Sequence, residues 1–150
     1  MQLSQKESEL LKDLKGQEQL CIDKYKKHAS CASDVQLKGL LNKLAGVEQK
    51  HLDMLTQIEQ GTVPAPGNGN SMQSSFTATY GTVNNANKQN DMYICTDLLT
   101  TEKHASHLYD TCVFEFKDQN VRDVLNSIQS DEQNHGKMLY DYMEVNQMYA

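Results

Sequence analysis

Apolar residues recur every three or four positions along most of this chain, with Lys, Glu, Asp and Gln between them, and that period predicts helices rather than strands. Leu3, Leu10, Leu11, Leu14, Ile22, Tyr25 and Ala29 make the first stripe, and Ser4 with Glu7 has the spacing of a capping box at its start. After a break at Ser30–Asp34, where Ser33 or Asp34 can cap, Leu37, Leu41, Leu44, Leu55 and Ile58 make a second. Leu98, Leu99, Ala105, Tyr109, Val113 and Phe116 form the third stripe; Val121, Leu125, Ile128, Leu139, Tyr142 and Met143 form the fourth. The elements expected are helices over about 4–29, 34–59, 90–116 and 120–146.

Between Glu59 and Lys88 lie 28 residues without a charge, including both prolines and four of the eight glycines. Such a segment reads as a connection. At ~3.3 Å per residue it can reach roughly 90 Å, whereas a helix of 25 residues is about 40 Å long. A crossover over 60–88 can therefore run the length of a bundle, leaving helices 2 and 3 parallel. The fold expected is all-α: a four-helix bundle of two antiparallel hairpins joined by a long crossover.

Composition narrows the picture. A chain of 150 residues, 38% hydrophobic and without Trp, suits one domain over 1–150 with an aliphatic and Met-filled core. A net charge of −6 argues against a nucleic-acid or anionic-membrane partner, which needs a basic face. No apolar run approaches the ~18 residues of a membrane span, and the charged start MQLSQKESELLKDLKG is unlike a signal peptide, so synthesis in the cytoplasm is expected. The four cysteines show no C-x-x-C spacing, and reduced thiols are expected, with Cys21 and Cys112 as small core fillers and Cys31 exposed.

Sliding the chain by 84 positions aligns Val47–Leu55 (VEQKHLDML) with Asp131–Leu139 (DEQNHGKML), and it also pairs Glu18 with Glu102 and Tyr25 with Tyr109. The offset suggests an internal repeat of two hairpins. Glu18 and Glu48 each lie 15 residues from Ser33, and Glu102 and Glu132 each lie 15 from Lys117, so each hairpin brings its two glutamates to one height. Glu48, His51, Glu132 and His135 fall on the apolar stripes, where Leu would be expected.

Four buried carboxylates raise one another's pKa at a cost of several kcal/mol each unless positive charge joins them. No Lys or Arg lies on those stripes, and two divalent ions would neutralise the four carboxylates. Residues three apart share a helix face, so Glu-x-x-His can aim a carboxylate and an imidazole at one ion. The candidate metal ligands are Glu18, Glu48, His51, Glu102, Glu132 and His135. The competing reading is a hydrogen-bonded Glu/His network without metal.

This pattern resembles the ferritin-like superfamily of di-metal carboxylate bundles, with one Glu from each of two helices and Glu-x-x-His from each of the others. Within it, LSQKESELLKDLKGQEQLCIDKYKKHAS, DVQLKGLLNKLAGVEQKHLDMLTQIEQG and the Tyr-rich end YDYMEVNQMYA look like the Coat F family of bacterial spore coat proteins. That likeness implies two divalent transition-metal ions, Fe or Mn ahead of Zn, and a place in the spore coat of a sporulating bacterium among other coat proteins. A homodimer through an apolar helix face is compatible with it. Two roles stay open: a structural coat protein stabilised by its metals, and a di-iron or di-manganese redox enzyme acting on peroxide or dioxygen, with no catalytic residue assigned. Tyr25 and Tyr109 read as core tyrosines or as hydrogen-bond partners of the ligands. Tyr140, Tyr142 and Tyr149 read as packing, with oxidative cross-linking as the alternative, and His28, His104 and His107 read as surface residues.

Overall fold

A computed structural model describes residues 1–67 and 76–149. Among these residues there are four helices: α1 Gln5–Cys31, α2 Val35–Glu59, α3 Asn85–Val113 and α4 Gln119–Val145. Ser4 and Glu7 form the expected capping box, with the Glu7 amide donating to Ser4 Oγ at 3.1 Å and the Ser4 amide to Glu7 Oε2 at 2.7 Å. Asp34, Asn84 and Asp118 cap the other three helices by accepting from amides in their first turns.

The third helix corrects the expected 90–116. It starts at Asn85 because Asn84 caps it, and it ends at Val113. Phe116 is still buried, but it reaches the core from the turn before α4.

Helix α1 pairs with α2 and α3 with α4, and α1 also packs on α3 and α2 on α4. Polar contacts give the directions. The Lys117 amide, after α3, donates to Glu7 at the start of α1 (2.9 Å), and the Ser33 amide, after α1, donates to Asp91 near the start of α3 (2.8 Å). Thus α1 and α3 are antiparallel and α2 and α3 are parallel, as a crossover requires. That connection touches both ends of the bundle: the Gly67 amide donates to Ser127 Oγ, and Thr79 and Gly81 bond to Gln36 and Asn146. A Cβ on Gly81 would stand 2.9 Å from Asp34 Oδ1, so this close approach requires glycine. The middle of the crossover, 68–75, lies outside the described residues.

Two apolar clusters fill the interior. Tyr25, Leu37, Leu41, Ile94 and Leu139 belong to one, and Leu11, Leu55, Tyr109, Leu125 and Ile128 to the other. The buried glutamates and histidines contributed by all four helices belong to neither cluster. Among the described residues no helix is long and apolar enough to cross a membrane.

Candidate metal centre

All six residues singled out from the sequence meet in the bundle interior, and none is more than 2% exposed. They form two groups that share members. Glu18, Glu48, His51 and Glu132 each offer one ligand atom within 4.8 Å of the others, and so do Glu48, Glu102, Glu132 and His135. Donors bound at about 2.0–2.3 Å around one ion stand at most about 4.6 Å apart, so small contractions suffice for each group to close on a cation.

Glu48 and Glu132 are common to both groups. Glu48 faces His51 Nδ1 with Oε2 (3.3 Å) and His135 Nδ1 with Oε1 (2.8 Å). Glu132 places Oε1 3.0 Å from His51 Nδ1 and Oε2 3.9 Å from His135 Nδ1. These two carboxylates therefore lie between the halves, while Glu18 and Glu102 sit at the outer sides. The imidazoles are nearly parallel, with centroids 6.1 Å apart, and both present Nδ1 inward.

Protons balance this charge when no cation is bound. Burial and then the neighbouring carboxylates push Glu48 and Glu132 well above the usual carboxylate range. Burial also acts to raise Glu18 and Glu102, but hydrogen bonds from Glu48 and Glu132 respectively, and from the histidines, outweigh it and hold them low. Burial disfavours the charged imidazoles, yet hydrogen bonds to Asp131 and Glu132 for His51, and to Glu102 for His135, carry both upward. Tighter proton binding by these four groups offsets the negative charge of the two glutamates held low. Even so, Glu18 Oε2, Glu102 Oε2 and both oxygens of Glu132 are buried without a well-formed hydrogen bond, Glu132 Oε1 meeting only the His51 ring nitrogen at 3.0 Å. Orphaned carboxylate oxygens beside inward imidazole nitrogens are the donor set of Fe, Mn or Zn, and the residues fit a pair of such ions.

The surroundings settle one alternative. Tyr25 donates to Glu102 Oε1, and Tyr109 donates to Glu18 Oε1 at 2.5 Å, so each tyrosine supports the outer glutamate of the opposite hairpin. They are hydrogen-bond partners as well as core residues. Sequence reasoning missed Asp131, whose Oδ2 lies 2.8 Å from His51 Nε2. A carboxylate can only accept, so Nε2 carries the proton and Nδ1 is left to face the cluster. The only signal was its place directly before Glu132.

Elsewhere, His104 and His107 are exposed as expected. His28 is half-buried, with Nε2 2.7 Å from Asp97 across the α1–α3 seam, which corrects its reading as a surface residue. Cys21 and Cys112 are buried and Cys31 is exposed; burial raises the Cys112 thiol to about 11 and that of buried Cys95 to about 12, so both stay protonated. Tyr142 is buried and donates to Asp34 Oδ2 at 2.9 Å, and Tyr140 packs edge-on against Tyr149.

The architecture and this cluster define a four-helix bundle of ferritin-like pattern with a buried carboxylate and histidine cluster. Residues 90–150, which take in most of α3 and all of α4, match the family described as the Coat F domain. Glu102, Glu132 and His135 lie inside that match. No curated protein and no solved structure matches the chain.

Proposed function

We propose that this protein is a spore coat component whose bundle is held together by a dinuclear metal centre. Glu18 and His51 would hold one ion, Glu102 and His135 would hold the other, and Glu48 and Glu132, common to both groups, would serve both. The observation that carries the reading is the sharing of Glu48 and Glu132 by two buried ligand groups with unpartnered oxygens. Every helix supplies at least one ligand, so metal binding ties the two hairpins together, which suits a component of a durable assembly. The Coat F match supports the spore coat as its location and other coat proteins as its partners.

Elemental analysis of protein purified without chelators tests this: close to two Fe or Mn ions per chain are expected. A protein that stays metal-free when offered Fe, Mn and Zn would overturn it.

One observation favours a second reading, a redox enzyme of peroxide or dioxygen. Glu102 and Glu132 line a pocket that opens to solvent. Bound Fe or Mn would supply one-electron chemistry there. The chain's own part would be to keep Tyr25 and Tyr109 hydrogen-bonded to the outer glutamates and bulk water away from the cluster. Peroxide-dependent turnover, lost in folded Glu48→Ala and Glu132→Ala variants, would place the enzyme reading first; inert, metal-stabilised protein would leave the structural one.

A further inference from the structure

The pocket beside the cluster occupies about 410 Å³ between α3 and α4. Leu99, Lys103, Ser106, His107, Gln133 and Gly136 line it, and Glu102 and Glu132 are also part of its wall. Glu102 Oε2 and both Glu132 oxygens are buried behind this wall without a well-formed hydrogen bond, so the pocket adjoins the carboxylates of the cluster. Its volume exceeds the roughly 30 Å³ share of one water many times over.

The same place on the first hairpin is built differently. Positions 84 earlier than Ser106 and Gly136 are Ile22 and Leu52, so side chains of four carbons stand where the second hairpin has a hydroxymethyl group and a hydrogen. Ile22 is 1% exposed, and α1 and α2 pack more extensively than α3 and α4. At Gly136 even a Cβ would meet Leu99 Cδ1 at 3.6 Å, which is ordinary contact, so a larger side chain would project beside the opening without forcing the backbone apart.

We propose that the α3–α4 pocket is the port through which small ligands of two or three atoms that accept hydrogen bonds, of the size of peroxide or azide, reach the metal pair, and that the α1–α2 face is closed to them. The inference rests on the metal reading above. Lys103, His107, Ser106 and Gln133 offer donors along the way, and the base of the pocket is Glu102 and Glu132, the outer ligand of the second ion and one of the two bridging carboxylates. A ligand arriving this way meets the second ion first. The Glu18 and His51 side is reached only across the bridge.

The test uses full-length protein loaded with cobalt(II) and azide as the probe, followed by stopped-flow absorbance of the cobalt bands. Azide is expected to perturb the parent spectrum. Gly136→Leu and Ser106→Leu should each slow azide association at least roughly tenfold and slow dissociation alongside it, because a plugged route changes both rates. Cobalt content should stay at two, and Leu52→Met, which keeps the other face filled, should leave both rates unchanged. Unaltered rates in both plugged variants, or an azide-silent parent that holds cobalt, would overturn the port alone. Loss of cobalt in plugged variants of native helicity would also overturn it, since a route for ligand does not set metal stoichiometry. A parent that binds no cobalt would take the metal reading down as well.

Discussion

The two hairpins carry the same ligands at positions 84 apart and differ in what surrounds them. Glu18, Glu48 and His51 on the first correspond to Glu102, Glu132 and His135 on the second, and the supporting tyrosines cross over symmetrically. The turns are clamped in the same crosswise manner: Glu7 of α1 holds the amide of Lys117, and Asp91 of α3 holds the amide of Ser33. Yet His51 is anchored through Nε2 by Asp131, whereas Val47 stands at the position equivalent to Asp131. The second hairpin is also the one with Gly136 and the pocket. The comparison separates two tasks. Residues that make the charge cluster are duplicated, while those that line the pocket and anchor the His51 imidazole are not.

The largest expected effect breaks the symmetry by removing a shared ligand. Glu48→Ala or Glu132→Ala should reduce bound metal from two ions to near none, because each carboxylate belongs to both groups. Glu18→Ala and Glu102→Ala should instead lower it toward one. Elemental analysis of the four variants reads the difference, and equal losses from bridging and outer positions would contradict the assignment of Glu48 and Glu132 as bridges.

Next comes the dependence of stability on pH with and without metal. Folded Glu48, Glu132, His51 and His135 bind protons more tightly than their ordinary values of 4.5 and 6.5. Their contributions are full below those values and are lost as pH rises through the folded ones. Glu18 and Glu102 are held low and act oppositely, with a contribution present above 4.5 and lost as pH falls through their folded values. Metal-free protein should therefore lose stability above about pH 6.5, where only the first set is titrating. Metal competes with those protons, so its affinity grows with pH. The stability gap between loaded and metal-free protein should widen from pH 6 to pH 8, reaching about 2.7 kcal/mol at a hundredfold excess over Kd. Differential scanning calorimetry measures it; a narrowing gap would contradict the charge balance.

A smaller effect isolates the asymmetry itself. Asp131→Asn removes the charged acceptor behind His51 and leaves His135 untouched, so it should weaken one of the two ions by about 10- to 100-fold. Competition against a chelator should then show one tight and one weakened site. Two equally weakened sites would mean that Asp131 acts on the cluster as a whole.

Much of this was legible in the sequence, for reasons that also explain what was not. Leu, Ile and Tyr at helical spacing gave the helices, and Glu48, His51, Glu132 and His135 stood out because charge occupied positions that an apolar stripe reserves for Leu. Their common height followed from counting to the turns. Which glutamates bridge did not follow, because that depends on how one hairpin docks against the other, a contact with no signature along either helix. Asp91 and Asp131 were overlooked for a related reason: an isolated acid on a helix is usually solvated, and only the fold shows Asp91 fully buried beneath the amides of Ser33 and Asp34. The start of α3 was misplaced because asparagines at 84, 85, 87 and 90 read as loop composition, whereas Asn84 acts as a cap.

The smallest expected effect sharpens the symmetric part of the comparison. Tyr25 and Tyr109 are fully buried and each donates to the outer glutamate of the other hairpin. Burial and the surrounding carboxylates keep both phenols protonated, so each is a fixed donor across the working pH range. Tyr25→Phe and Tyr109→Phe delete one hydroxyl without changing the ring that packs in either apolar cluster, so each should cost about 1–3 kcal/mol in metal-free protein, the range for leaving a buried acceptor unmade. Because the two bonds are equivalent, the two losses should agree to within about 0.5 kcal/mol, and because both end on one cluster they should not simply add in the double variant. Metal held by Glu18 and Glu102 would offset the charge of those carboxylates, so the loss should shrink in loaded protein. Urea denaturation with and without metal measures all four quantities. A loss confined to one tyrosine would show that the support of the outer glutamates is as unequal as the support of the histidines.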